Sequence, residues 1–178
     1  MSTLTTEIDL IEQKLHQAVT KAINNVRDNP DSKDLTFSVE SKLERAFRSQ
    51  VQTRGFEFII DEPENLGGEN QAPNPVEYVL GALAACQEIV IKAYAGQLGV
   101  SLESVTVVAS GDLDLTGFFN LSNKRPGFHQ VKYKTTIYTE ETDPVKLQLL
   151  KDFSVDRCPV LDIISNPVPV TGEVVYAN

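Results

Sequence analysis

The sequence predicts an α+β fold. Two observations carry it. Short alternating apolar runs fall in hairpin-like pairs on either side of a long apolar segment that opens with Pro75. The segments with helical spacing lie between those pairs, where a parallel sheet would need one after every strand. Beyond a first helix, the expected order is β-β-α-β-β-α-α-β.

Residues 3–28 form the first expected helix. Leu4, Ile8, Ile11, Leu15, Ala18, Ala22 and Val26 recur at spacings of three and four, a single apolar stripe. Thr5 or Thr6 is the expected cap. Asn29-Pro30-Asp31-Ser32 ends the helix, because Pro30 biases Asn29 away from helical backbone. The stripe calls for cover from its own domain or from a second subunit. The acid-rich polar face argues against a membrane surface. Residues 1–34 therefore read as a helical extension and residues 35–178 as the domain proper.

Residues 35–48 alternate and predict one half-buried strand. Phe37, Val39, Leu43 and Phe47 share one face, and Glu40, Lys42, Glu44 and Arg48 the other. Arg45 has the apolar parity, so it needs a partner or an edge position. Thr53-Arg54-Gly55 reads as a turn into a second strand at 56–61. The Gly, Pro and Asn content of residues 61–75 makes a loop. Gly67 and Gly68 are not a phosphate loop, since no Lys-Ser/Thr follows.

Pro75 suits the first position of a helix with Asn74 as its cap. That helix should run to about Leu98 and stop at Gly99. Val76, Val79, Leu80, Leu83, Val90, Ile91 and Tyr94 make it apolar on most sides, hence central. Gly81, Ala82, Ala84 and Ala85 invite close approach by another helix. Residues 105–115 read as a long strand bulged at Gly111, and 117–127 as a connection. Residues 129–140 form a strand with Val131, Tyr133, Thr135 and Ile137 on one face. Pro144 opens a helix that turns Leu147, Leu150 and Phe153 inward. Cys158-Pro159 begins a shorter helix ending near Asn166. Val168, Val170, Val174 and Tyr176 predict a last strand.

Composition removes several function classes. Acidic residues number 25 and basic residues 16, a net charge of −9, so no basic stripe is available for nucleic acid. No apolar run approaches the roughly 20 residues of a membrane helix. The opening MSTLTTEIDL lacks a signal peptide's basic and apolar regions, so a cytoplasmic protein is expected. His16 and His129 lie in different kinds of element, and no HExxH or CxxC spacing exists, so no metal site is expected.

Two cysteines remain. Cys86 follows Leu83 by three residues and precedes Val90 by four, so it reads as a small buried hydrophobe. Cys158 precedes Pro159 at an expected helix cap, where backbone N–H groups favour a thiolate. Arg157 adds positive charge there and Asp156 opposes it. On spacing alone, Cys158 is the nucleophile and Cys86 is structural. Two cysteines 72 positions apart in a cytosolic chain also suit a reversible disulfide.

The segments NPVEYVLGALAAC at 74–86 and CPV at 158–160 resemble the OsmC/Ohr family of thiol peroxidases. DEPENLGG at 61–68, SGDLDLTGF at 110–118, RPGF at 125–128 and NPVPV at 166–170 extend the likeness over residues 36–178. The phrase DEPxxLGG is most similar to the OsmC-like branch. The resemblance implies an intertwined α+β homodimer, with central helices enclosed by antiparallel sheets and active sites at the subunit interface. It implies reduction of organic hydroperoxides in oxidative-stress defence. Cys86 then matches the peroxidatic cysteine and Cys158 the resolving one, the reverse of the assignment from spacing. Arg45, or alternatively Arg48, matches an early-strand arginine that pairs with the thiolate.

The family has a glutamate directly after the Asn-Pro pair to hold that arginine. Here Val76 stands there and Glu77 follows, turned by about 100° on a helix. Glu88 is a further acid near Cys86. The resemblance also implies an external dithiol reductant such as a lipoylated protein, and no metal, flavin or nicotinamide. An apolar pocket between subunits, with Phe118, Phe119 and Phe128 as lining, would favour organic peroxides. Two other functions fit such a fold. One is a small-apolar-ligand binder with little catalysis, favoured by Val76; the other is a dimeric redox sensor.

Overall fold

The structure, a computed structural model, describes residues 2–177, with side-chain environments from Leu10 onward. Helix α1 (Ser2–Asp28) starts ahead of the expected Thr5 or Thr6 cap, which places both threonines inside the helix. It ends where Asn29 donates back to the Asn25 carbonyl at 2.9 Å, before a 3₁₀ turn at Pro30–Lys33. Ile11 and Val26 of its apolar stripe stay exposed, as do Leu10 and Ile23 beside it. Its link to the rest of the chain includes an ion pair between Glu12 and Lys92 at 2.5 Å.

The expected single strand at 35–48 is two strands. β1 (Glu40–Arg45) turns at Ala46 and Phe47 and returns as β2 (Arg48–Thr53), with Arg45 opposite Arg48. Ala46 takes φ 45°, the left-handed region. The turn contains none of the residues that normally mark one, so the alternation runs through it unbroken. β3 (Phe56–Ile60) pairs antiparallel with β2 through the expected turn at Arg54 and Gly55.

The loop that follows is built around Asp61. Its buried carboxylate accepts hydrogen bonds from the N–H groups of Glu62 (2.8 Å), Glu69 (3.1 Å) and Gln71 (3.1 Å). Those donors and the Arg48 charge hold its pKa below the usual carboxylate range; the Gln71 N–H contributes most, and burial opposes them. The Phe47 ring lies over Gly67. Tyr78 donates its hydroxyl proton to the Ile59 carbonyl at 2.7 Å and so fastens β3 to the next helix.

That helix, α2 (Pro75–Leu98), has the expected boundaries. The Asn74 side chain accepts from the Glu77 N–H at 2.9 Å, and the Glu77 carboxylate accepts from the Asn74 N–H at 2.8 Å. Gly99 stops the helix at φ 64°. By length and composition α2 could cross a membrane, with mean hydropathy 1.3, contrary to the expectation that no run approaches that length. Its apolar character serves the core instead. α2 packs against α1, β4 (Ser104–Asp112), α4 (Pro144–Asp156) and α5 (Pro159–Ser165), and buries Leu83, Val90, Ile91 and Ala95.

β4 pairs antiparallel with β5 (Gln130–Tyr138) in unbroken register, Gly111 opposite Val131, so the expected bulge is absent. A Cβ at Gly111 would lie 2.6 Å from the Phe128 ring, so the glycine serves a close approach. The strand does not extend through residue 115. Asp114 accepts from the Thr116 N–H at 2.9 Å and caps a short helix, α3 (Leu115–Phe118). α4 turns Leu150 inward as expected, and Cys158 caps α5.

The expected last strand does not form within the chain. Residues 167–177 have no regular structure, and Val170, Val174 and Tyr176 are exposed, Tyr176 by 93%. Alternation creates a strand only where a sheet edge takes up its N–H and C=O groups.

Candidate redox site

Cys86 sits midway along α2, and Cys158 is the residue before Pro159 at the start of α5. Pro159 takes the first helical position, where its missing N–H costs nothing, and this leaves Cys158 as the cap. The Cys158 Sγ accepts from the Leu161 N–H at 3.4 Å. The Cys158 thiol lies close enough to Cys86 to act on its titration, and both thiols are free. They share one apolar cluster with Leu83, Val90, Val131, Tyr133, Leu161 and Ile164, in which Cys158 is buried. The helix start and the central helix thus bring the two sequence-predicted sulfurs together.

Burial pushes the Cys86 thiol up, the Val160 N–H opposes that, and the Cys158 thiol adds to the rise. Within one chain, Cys86 therefore rests as a thiol at neutral pH. No cation of the described residues is among the groups that shift it.

Arg45 is not brought to Cys86 in the same chain. Its guanidinium pairs with Glu69 at 2.9 Å, and its side chain is 65% exposed. Its inward parity has no core to face, since every residue of β1 is exposed. Arg48 donates from Nε to Glu44 at 2.9 Å and acts electrostatically on Asp61. Glu77 is held in the α2 capping box, apart from Arg45. Among the described residues no group of three His, Cys, Asp or Glu side chains could hold a metal.

Sequence reasoning missed two buried polar residues. Asp61 shapes the loop before α2. Gln87, next to Cys86, is wholly buried, and its Nε2 donates to the Ser154 carbonyl at 2.7 Å. A signal existed for Gln87: it lies four residues after Leu83 and four before Ile91, a polar side chain on an apolar stripe.

A groove of about 520 Å³ adjoins the thiol cluster. Val79, Phe128, Val131, Tyr133, Leu161 and Ile164 line it, and Arg125 and His129 stand at its polar side. Phe128 lines this groove of the single chain. Phe118 and Phe119 do not: they are exposed and pack edge to face with each other, centroids 5.0 Å apart.

Known proteins share this arrangement of elements. An OsmC-like protein from Mycoplasma pneumoniae superposes with a TM-score of 0.62 at 16% identity, covering 74% of this chain and 89% of that one. An organic hydroperoxide resistance protein OsmC from Legionella pneumophila gives 0.53 at 23% identity, over 73% and 89% of the two chains. An organic hydroperoxide resistance protein from Elizabethkingia anophelis gives 0.54 at 20% identity, over 73% and 89%. At these identities the likeness is one of fold. No curated protein sequence matches this chain. The sequence model of the OsmC-like protein family matches residues 68–173, more than half of the chain. That stretch holds α2, β4, β5, α4, α5 and both cysteines, and the chain belongs to the OsmC-like protein family.

Proposed function

We propose that this protein is a two-cysteine thiol peroxidase that reduces organic hydroperoxides. The observation that carries the reading is that Cys86 and Cys158 pack in one apolar cluster beside an apolar groove. The Cys86 thiolate attacks the distal oxygen of R–O–O–H. The O–O bond breaks, the alkoxide takes a proton and leaves as an alcohol, and Cys86 becomes a sulfenic acid. Cys158 attacks that sulfur, the S–O bond breaks, and water leaves as the disulfide forms. An external dithiol, such as a lipoylated protein, takes up the oxidation by thiol–disulfide exchange.

The working unit is a homodimer. A folded monomer of 19.6 kDa exposes about 8,600 Å². This chain exposes 13787 Å². The excess, about 5,200 Å² per chain, is larger than the share each subunit of most obligate dimers buries, so it leaves ample surface for such an interface. Uncovered apolar residues include Phe37 at 80% exposure, Ile89 on α2, and the 167–177 segment. In that dimer Arg45 of the partner subunit supplies the cation that Cys86 lacks in its own chain, and Glu69 holds it in place of the glutamate missing at Val76.

A binding protein for small apolar ligands is the second reading, favoured by the groove and by the raised Cys86 pKa. One experiment separates them. Reduced protein is mixed with cumene hydroperoxide, peroxide loss is followed, and disulfides are mapped by mass spectrometry. The peroxidase consumes peroxide and forms a Cys86–Cys158 bond. Retention of peroxide with both thiols free would leave the binding reading. The Cys158→Ser variant should complete one turnover and trap oxidised Cys86; failure of that first turnover would reverse the two roles.

A further inference from the structure

The amide of Gln87 stands out from the apolar surroundings of the thiol pair. It is wholly buried, its Nε2 donates to the Ser154 carbonyl, and its Oε1 is buried with no partner among the described residues. An unpartnered buried acceptor carries a desolvation cost, and an apolar residue of the same size would avoid it. The retained amide therefore marks the Ser154 bond as the useful one.

The position of that bond is specific. Gln87 follows Cys86 directly on α2, and Ser154 lies four residues before Cys158. α4 ends at Asp156, so the carbonyls of its last turn lack partners from a continuing helix. The Phe153 carbonyl is taken by the Arg157 N–H, and the Ser154 carbonyl by Gln87. The residue beside one thiol thus anchors the backbone that delivers the other.

We propose that Gln87 is a positioning residue that holds Cys158 within reach of Cys86 once Cys86 has been oxidised. The inference rests on the two-cysteine reading above. In the step concerned, the Cys158 sulfur displaces hydroxide from the Cys86 sulfenic acid: the S–S bond forms, the S–O bond breaks, and the Cys158 proton leaves in the water released. The speed of that step depends on how often the two sulfurs meet in line. Without the tether, the segment from Ser154 to Cys158 swings more freely, and the sulfenic acid persists long enough for a second peroxide to convert it to sulfinic acid.

The test uses Gln87→Met, which keeps the volume and removes the amide, and Gln87→Leu, which removes it with a shorter apolar side chain. Quenched mass spectrometry after cumene hydroperoxide resolves sulfenic acid, disulfide and sulfinic acid at Cys86. In both variants the first step should stay within twofold of wild type, while disulfide formation slows at least tenfold and sulfinic acid accumulates. Disulfide formation within twofold of wild type would overturn the proposal. So would parallel slowing of both steps, which marks general damage to the fold. The equilibrium of the thiol pair with oxidised dithiothreitol gives a readout independent of peroxide: the variants should form the disulfide at least tenfold less favourably. Wild type that forms the disulfide there but ignores peroxide would sink the peroxidase reading and still decide the role of Gln87. If Gln87→Met fails to fold, Gln87→Leu carries the same expectations.

Discussion

The N–H of Gln71 donates to the buried carboxylate of Asp61 across 3.1 Å, pinning the far end of the 62–73 loop to its start. Two more N–H groups and the Arg48 charge hold the same carboxylate ionised. A carboxyl whose pKa is lower in the folded than in the unfolded state stabilises the fold above its unfolded value of about 3.9. That contribution is lost as pH falls below it toward the folded value. Asp61→Asn should therefore lower the urea midpoint at pH 7 and narrow its gap to wild type below about pH 4. A gap that does not change with pH would show that the charge contributes nothing.

Arg45 and Cys86 are predicted to meet only across subunits. Arg45→Met should raise the pH midpoint for iodoacetamide labelling of Cys86 by about one unit or more, the usual effect of an adjacent opposite charge. Peroxide reduction at pH 7 should slow about tenfold or more, because the thiolate fraction falls in step. Glu69→Gln should act in the same direction through a less ordered Arg45. Unchanged labelling in Arg45→Met would remove Arg45 from the site.

A Cβ at Gly68 would lie 1.8 Å from the Glu62 carbonyl oxygen, with backbone on both sides of the clash. Gly68→Ala must open the loop and should cost on the order of 1–3 kcal/mol, the usual range for overpacking. Gly55→Ala meets nothing within 4 Å and should stay within about 0.5 kcal/mol of wild type. Urea titration of the two variants checks the contrast. Equal midpoints would mean that the loop does not take this shape.

Gly81 lies on the exposed side of α2, next to Ala82 and near Ala85, and a methyl group added there would meet nothing within 4 Å. On a lone helix, glycine to alanine would stabilise by about 1 kcal/mol. If a second α2 packs there, a bulky side chain blocks it. Gly81→Leu should thus shift the mass seen by light scattering from twice 19.6 kDa toward one chain. A dimer that survives unchanged would place the interface elsewhere.

Local chemistry made some elements readable and left others hidden. The start and stop of α2 were legible because Asn74, Pro75 and Gly99 each impose a backbone state by themselves. The meeting of Cys86 with Cys158 was legible through the resemblance, while cap electrostatics alone ranked the two sulfurs in the opposite order. The turn at Ala46 and Phe47 was not, since neither residue prefers it and tertiary contacts such as Phe47 on Gly67 accompany it. Asp114 has the look of a strand residue, yet its carboxylate caps α3. The alternation at 168–176 is genuine, but a strand is a relation between two segments, and no segment of the same chain takes it up. Arg45 has both the partner and the edge position that its parity called for, Glu69 and strand β1, while parity names a face and leaves open what covers it.

The packing of the two cysteines in one cluster has a thermodynamic consequence as well. Cys86 and Cys158 are 72 positions apart, and the chain between them includes the second half of α2, both strands of the β4–β5 sheet and all of α4. A covalent bond there would close a loop of that length and restrict the unfolded ensemble by about 4 kcal/mol on the chain-entropy model. Oxidation would then make the fold markedly harder to open, and the reductant that reopens the bond would return the molecule to its less stable form. In the proposed peroxidase cycle, each turnover would carry the protein between two stabilities, so its resistance to heat or protease would report the peroxide it has recently met.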